Sequence, residues 1–141
     1  MINFFGAPNF VDFQQRPELT RKDILRMIEQ LSNNPEQVIK SFYKRCNIEF
    51  KSNRMINKKK LLSALIELES EDLCENFDKS SCKIFSIYSQ DDKIFNPSKE
   101  SLIKLKRDNH IIEYIQHCDH GFPINKPNQC YEIIRNIVNK L

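Results

Sequence analysis

The sequence predicts an α/β fold with a few parallel strands, flanking helices and an inserted all-helical segment. Three short apolar runs, at residues 2–5, 82–88 and 110–115, carry this prediction. Short buried strands that alternate with helices are typical of a parallel sheet. Between the first two runs the periodicity is helical and no strand-like run occurs. A chain of 141 residues is long enough for one domain with a real core.

The helical segment is expected to contain three amphipathic helices. The first has apolar residues at helical spacing from Glu18 onward, and the second begins at the Asn34-Pro35 cap. The third spans residues 58–69, and its stripe of Leu61, Leu65 and Leu68 is expected to pack in the core or within this segment rather than in a membrane.

The remaining helices follow the second and third strands. One opens at Asn96-Pro97 and the last opens at Pro127. The chain is therefore expected to divide into a core strand that leads into the insertion (1–13), the helical insertion (14–72) and a C-terminal α/β segment (73–141).

Glycine is scarce in this chain, and the shortage excludes several function classes. Only Gly6 and Gly121 occur, where average usage of ~7% would give roughly ten. Glycines so placed cannot form a G-x-G-x-x-G dinucleotide loop, a G-x-x-x-x-G-K phosphate loop or a G-x-S-x-G nucleophile elbow. No cofactor is indicated. Five scattered cysteines without a C-x-x-C pair favour a reduced, cytoplasmic protein, and no apolar run approaches the ~20 residues of a membrane span.

Positive charge is concentrated in the helical insertion. The whole chain has a net charge of +3, but residues 16–60 hold twelve Lys or Arg and five Asp or Glu. This segment could meet an acidic partner, or it could be a solvated helical face. The Lys58-Lys59-Lys60 run has no interleaved aromatic residues, which favours a solvated face there. We therefore expect neither a nucleic-acid partner nor a membrane partner.

Polar residues with catalytic chemistry follow two of the predicted strands. Ser89-Gln90-Asp91-Asp92 comes after the second strand, and His117-Cys118-Asp119-His120 comes after the third. A carboxylate on one loop can bond to a histidine on the adjacent loop, orient its ring and stabilise its protonated form. On spacing alone, the aspartates could instead be turn formers and the histidine an incidental loop residue. No second ligand pair supports a metal site, so none is predicted.

The two loops resemble those in the C-terminal part of an α/β-hydrolase. That family typically carries G-x-x-D-x-x-x-P after one strand and G-H-x-P/F-x-x-x-P after the next, and here Ser89 to Pro97 and Asp119 to Pro127 take these places. The order of strand, helical lid, aspartate loop, histidine loop and final helix extends over the whole chain. It is most similar to the pimeloyl-acyl-carrier-protein methyl ester esterases of biotin synthesis, which implies a partial α/β-hydrolase fold.

The resemblance implies a role for particular residues. Asp92 matches the catalytic acid, with Asp91 as the alternative because Pro97 comes one place late, and His120 matches the catalytic histidine, with His117 as a weaker candidate. The intact enzyme would hydrolyse a carboxylic ester through an acyl-serine. An acyl-carrier protein would bind basic residues of the lid, namely Arg16, Arg21, Lys22, Arg26, Lys40, Lys44 and Arg45.

The sequence departs from the family in one large respect. The nucleophile elbow, the first strands of the sheet and the oxyanion-hole loop are absent from these residues. Removing the catalytic serine alone costs on the order of 10⁶ in kcat in subtilisin. We therefore expect this chain by itself to have no esterase turnover. It would be the C-terminal portion of a split or truncated hydrolase, partnered by the missing N-terminal half or by a homologous chain. The alternative is a non-catalytic partner-binding module derived from a hydrolase.

Overall fold

A computed structural model of the protein describes residues 1–51 and 56–139. Its centre is a parallel sheet in the order β1-β2-β3, formed by β1 (Ile2–Phe4), β2 (Ile84–Tyr88) and β3 (His110–Tyr114). Ile2 lies opposite Phe85, and Ile84 lies opposite His110. The predicted fold class is confirmed, and each strand is one or two residues shorter than the apolar run that predicted it.

The helices lie between and after these strands. Within the described residues, β1 is followed by α1 (Pro17–Asn33), α2 (Pro35–Arg45), α3 (Lys58–Ser70) and α4 (Cys74–Lys79). The later helices are α5 (Lys99–Leu105), α6 (Phe122–Asn125) and α7 (Pro127–Val138). The sequence did not predict α4 and α6, because helices of six and four residues are too short to establish a periodic pattern. We call residues 14–72 the lid.

Local side chains explain where three of the helices begin. The side chains of Asn34, Asn57 and Ser98 each accept a hydrogen bond from the backbone N–H three residues ahead, at 3.4, 3.0 and 3.0 Å respectively. These bonds satisfy a donor that the first turn of a helix leaves without a partner. A proline occupies the first turn of α1, α2 and α7, where no backbone donor is needed.

The central strand β2 is buried along its whole length, as a parallel strand covered on both faces must be. On one face Phe85 and Ile87 pack against Ile137 of α7. On the other face Tyr88 packs with Phe95 and Leu105 in a second apolar cluster. The loops that follow β2 and β3 leave the same edge of the sheet, so their side chains can meet.

Helix α3 is less buried than its leucine-rich sequence suggests. None of its residues is fully buried, and Leu68 is 37% exposed. The helix packs against α1, and an ion pair between Arg21 and Glu69 joins the two. Its apolar stripe therefore contributes to packing within the lid and not to the core under the sheet. In the described residues, no helix combines the length and the apolar character needed to cross a membrane.

Candidate active site

Asp92 and His120 meet at the carboxyl edge of the sheet. The Oδ2 atom of Asp92 lies 2.8 Å from Nδ1 of His120. A carboxylate oxygen accepts, so Nδ1 carries the proton and Nε2 is left free for chemistry. The Asp92 side chain has no exposed surface, whereas the His120 side chain is 26% exposed. The buried acid therefore holds a histidine whose ring can still be reached by a reacting group.

The second oxygen of Asp92 fixes the carboxylate itself. Its Oδ1 atom accepts hydrogen bonds from the backbone N–H groups of Ile94 at 2.7 Å and Phe95 at 3.1 Å. This is an Asx-type turn, in which the side chain bonds to the backbone two and three residues ahead. One oxygen of Asp92 therefore forms the turn, and the other contacts the ring of His120.

Asp91 and His117, the alternative candidates, form a separate contact. The Oδ2 atom of Asp91 accepts a hydrogen bond from the backbone N–H of His117 at 3.0 Å and lies 3.9 Å from Nδ1 of its ring. The His117 side chain is 90% exposed, and its backbone has a φ of 55°. Asp91 thus ties the two loops together through the backbone, and the structure does not bring it to His120.

The aromatic residue that follows β1 packs near the histidine ring. Phe5 is 3% exposed, and its ring centre lies 5.7 Å from that of His120. Its φ of 58° is unusual for a bulky residue and costs on the order of 1–3 kcal/mol. The sequence analysis missed Phe5 as a site residue. The available signal was its position directly after β1, on the same edge of the sheet as the two loops.

The end of α2 contacts the histidine loop. The backbone N–H of Gly121 donates to the carbonyl oxygen of Cys46 at 2.9 Å, and Nδ2 of Asn47 donates to Oδ2 of Asp119 at 2.7 Å. On the aspartate loop, the Arg45 guanidinium donates to the carbonyl oxygen of Lys93 at 3.1 Å. This junction could not be predicted from the sequence, because its partners lie about fifty to seventy-five residues apart.

Cys46 lies near Asp92 and carries a thiol, a group that can act as a nucleophile, but this thiol is unsuited to that role. Burial, followed by the negative charge of Asp92, raises the pKa of Cys46 to about 11. The thiol is therefore protonated at neutral pH, and the thiolate is the reactive form. Among the described residues, no group of three or more His, Cys, Asp or Glu could hold a metal ion.

A second histidine cluster joins the three strands of the sheet. Nδ1 of His110 donates to the carbonyl oxygen of Leu105 at 2.6 Å, so its Nε2 accepts from the Ser86 hydroxyl at 2.8 Å. Nδ2 of Asn3 donates to the same hydroxyl oxygen at 3.1 Å. Burial lowers the pKa of His110, which favours the neutral ring. Each of these bonds satisfies a buried group, so the cluster stabilises the sheet.

The basic lid residues divide into two groups. Arg21, Arg26 and Arg45 form ion pairs with carboxylates inside the lid, Arg26 and Arg45 both with Asp23. Within the described residues, the other four form no ion pair and are exposed: Arg16, Lys22, Lys40 and Lys44. Lys44 and Arg45 also line an open, polar cavity of about 400 Å³ beside Asp91 and Asp119.

An acid and a histidine on the loops after two neighbouring parallel strands, with a helical lid inserted before them, define an α/β fold of the hydrolase type. No family model and no curated protein matches the chain. Among solved structures, an esterase from Exiguobacterium antarcticum is similar, with a TM-score of 0.73 and 16% sequence identity. The match covers 94% of this chain and 54% of the esterase, so the chain spans about half of the esterase's length. At this identity the likeness shows the fold.

Proposed function

We propose that this chain supplies the acid and the histidine of a serine carboxylesterase-type active site. The hydrogen bond between Asp92 and His120 is the observation that carries the proposal. In the reaction, Nε2 of His120 would take the proton from a serine hydroxyl as the serine attacks the ester, and would then give it to the leaving alkoxide. Asp92 would keep the ring in the correct tautomer and stabilise the imidazolium that forms.

The serine would come from a segment outside these 141 residues. The chain contains no G-x-S-x-G sequence, and it spans about half of the similar esterase. β1 lies at an edge of the described sheet, where a further strand could pair with it. A cavity of about 420 Å³ with largely apolar walls, including Ala7, Phe77 and Leu105, lies beside β1. We propose that the missing hydrolase half, or a homologous chain, covers this edge.

The proposed substrate is the methyl ester of a pimeloyl chain on an acyl-carrier protein, as in biotin synthesis. The basic lid supports this part of the proposal, because an acidic carrier would be attracted to four of the candidate residues that form no ion pair within the described part of the chain, namely Arg16, Lys22, Lys40 and Lys44. Reversing the charge of Lys22, Lys40 and Lys44 together should weaken carrier binding, and added salt should weaken it in the wild type. The R26E change is the control and should weaken binding less, because Arg26 shares the carboxylate of Asp23 with Arg45. A carrier-binding affinity that does not change with salt concentration would contradict this part of the proposal.

To test the catalytic proposal, this chain is expressed together with adjoining coding sequence that carries G-x-S-x-G. The hydrolysis of short acyl esters by the purified protein is then measured. The H120A change should abolish turnover. The D92N change should lower kcat by about 10⁴, because the amide favours the wrong histidine tautomer. The D91N change is the matched control and should retain most of the activity, since its amide oxygen can still accept from the backbone N–H of His117.

Three results would contradict the proposal. Turnover that survives H120A would exclude His120 as the base, and equal losses in D91N and D92N would remove the assigned difference between the two acids. Turnover by the isolated chain that a serine reagent blocks would show that the nucleophile is already present. If no adjoining sequence carries G-x-S-x-G, the alternative of a non-catalytic partner-binding module is favoured.

A further inference from the structure

We propose that Asn47, at the end of α2, is a positioning residue for His120. It would hold the histidine loop against the lid so that Nδ1 of His120 stays on Asp92. This inference rests on the proposed function for its catalytic meaning, but its structural content concerns only the hydrogen bond between Asp92 and His120. It assigns to the lid a part in forming the acid–base pair, in addition to any contact with substrate.

Three hydrogen bonds fasten the histidine loop on both sides of His120. Nδ2 of Asn47 donates to Oδ2 of Asp119 at 2.7 Å, just before the histidine. Just after it, the backbone N–H of Gly121 donates to the carbonyl oxygen of Cys46 at 2.9 Å. Further on, Nδ2 of Asn125 donates to the carbonyl oxygen of Asn47 at 2.7 Å. The residues on each side of His120 are therefore bonded to two consecutive residues of the lid.

Asn47 provides the hydrogen bond that the Asp119 carboxylate accepts. Its other oxygen, Oδ1, is buried and has no hydrogen-bond partner among the described residues. A buried acceptor without a partner costs about 1–3 kcal/mol, so losing the bond at Oδ2 as well would favour movement of the loop. Asn47 itself has a φ of 56°, in the left-handed region that asparagine and glycine tolerate best. The residue therefore combines the required backbone turn with the required side-chain donor.

The test measures the Nδ1 proton of His120 by NMR in the purified full chain. A hydrogen bond to a carboxylate should give this proton a resonance at low field and protect it from exchange with solvent. The N47G change keeps the backbone conformation accessible but removes the donor. Losing a bond worth about 1.4 kcal/mol should make exchange of the His120 proton about tenfold faster and move its resonance to higher field.

A matched control distinguishes positioning from general loss of stability. The N34G change makes the same substitution at the other end of α2, where Asn34 caps the helix and does not contact the histidine loop. It should leave the His120 proton unchanged. The N47D change should place two carboxylates against each other and release the loop. The N47D/D119N double variant should restore the resonance, because it exchanges donor and acceptor across the same contact.

Several outcomes would overturn the inference. The first is that the wild-type chain lacks the low-field resonance, and the second is that the His120 proton exchanges at the wild-type rate in N47G. The third is that N34G accelerates this exchange as much as N47G does. The fourth is that the His120 resonance in the double variant is no closer to the wild type than in N47D. None of these measurements needs a serine or an ester. If co-expression gives no turnover while N47G still releases the His120 proton, the proposed function fails and the positioning role of Asn47 stands.

Discussion

Replacing Gly121 by alanine is the sharpest test of how closely the histidine loop approaches the lid. The backbone of Gly121 has a φ of −81° and a ψ of 1°, which alanine can adopt. The added methyl group, however, would lie 2.4 Å from the carbonyl oxygen of Cys46 and 2.6 Å from Cγ1 of Ile48. Ordinary contacts need about 3.5 Å, so the two segments would have to separate by about 1 Å.

The expected cost follows from these contacts. Forcing a methyl group into a packed site costs about 1–3 kcal/mol. The separation would also loosen the 2.9 Å hydrogen bond from Gly121 to Cys46, which contributes about 1 kcal/mol. The free energy of unfolding should therefore fall by about 2–4 kcal/mol. For a chain of this length that corresponds to a fall in Tm of about 6–15 °C.

Urea unfolding followed by circular dichroism measures this difference, and Gly6 provides the matched control. A methyl group at Gly6 would lie 2.7 Å from Oδ1 of Asn3, which is a side-chain atom that can shift more easily than backbone, although Nδ2 of Asn3 donates hydrogen bonds to Gly6 and Ser86. The G6A change should therefore cost about 1–2 kcal/mol, mainly through weaker hydrogen bonds from Asn3, and less than G121A. A G121A variant within about 0.5 kcal/mol of the wild type, or a G6A variant that loses as much as G121A, would refute the reasoning.

Two further predictions concern stability elsewhere in the chain. Burial lowers the pKa of His110 below its ordinary value of 6.5, so the unfolded chain binds the proton more readily, and the free energy of unfolding should fall as the pH drops below about 6.5. Urea titrations across this range should show a steeper fall for the wild type than for H110Q, and equal slopes would contradict the assignment. The S98A change removes the cap of α5 and should cost about 1 kcal/mol. The exposed Ser41 of α2 is its control, and an S98A variant no less stable than S41A would count against the cap.

The sequence predicted the strands and the three long lid helices because each has a local cause. Apolar β-type runs form the strands, and caps such as Asn34 mark helix starts. The parallel arrangement followed from the alternation of strands and helices, and it placed the aspartate and histidine loops at one edge of the sheet. These parts of the fold need no knowledge of distant contacts.

The choice between Asp91 and Asp92 could not be made from the sequence. Both aspartates follow the same strand, and adjacent side chains in a turn point in different directions. The structure separates them because the backbone N–H groups of Ile94 and Phe95 hold one oxygen of Asp92. The contact of Asn47 could not be predicted for another reason, because its partner Asp119 is 72 residues away in the sequence. Contacts over such distances leave no periodic signal in a single sequence.

The pairing of β1 with β2 has a consequence for how the protein forms. Ile2 and Phe85 lie opposite each other although more than 80 residues separate them. At a synthesis rate of about 5–20 residues per second, β2 is synthesised roughly 4–16 seconds after β1. The lid helices can form from local contacts during that time, whereas the sheet must wait for a long loop to close. Assembly of the sheet is therefore expected to limit the folding rate.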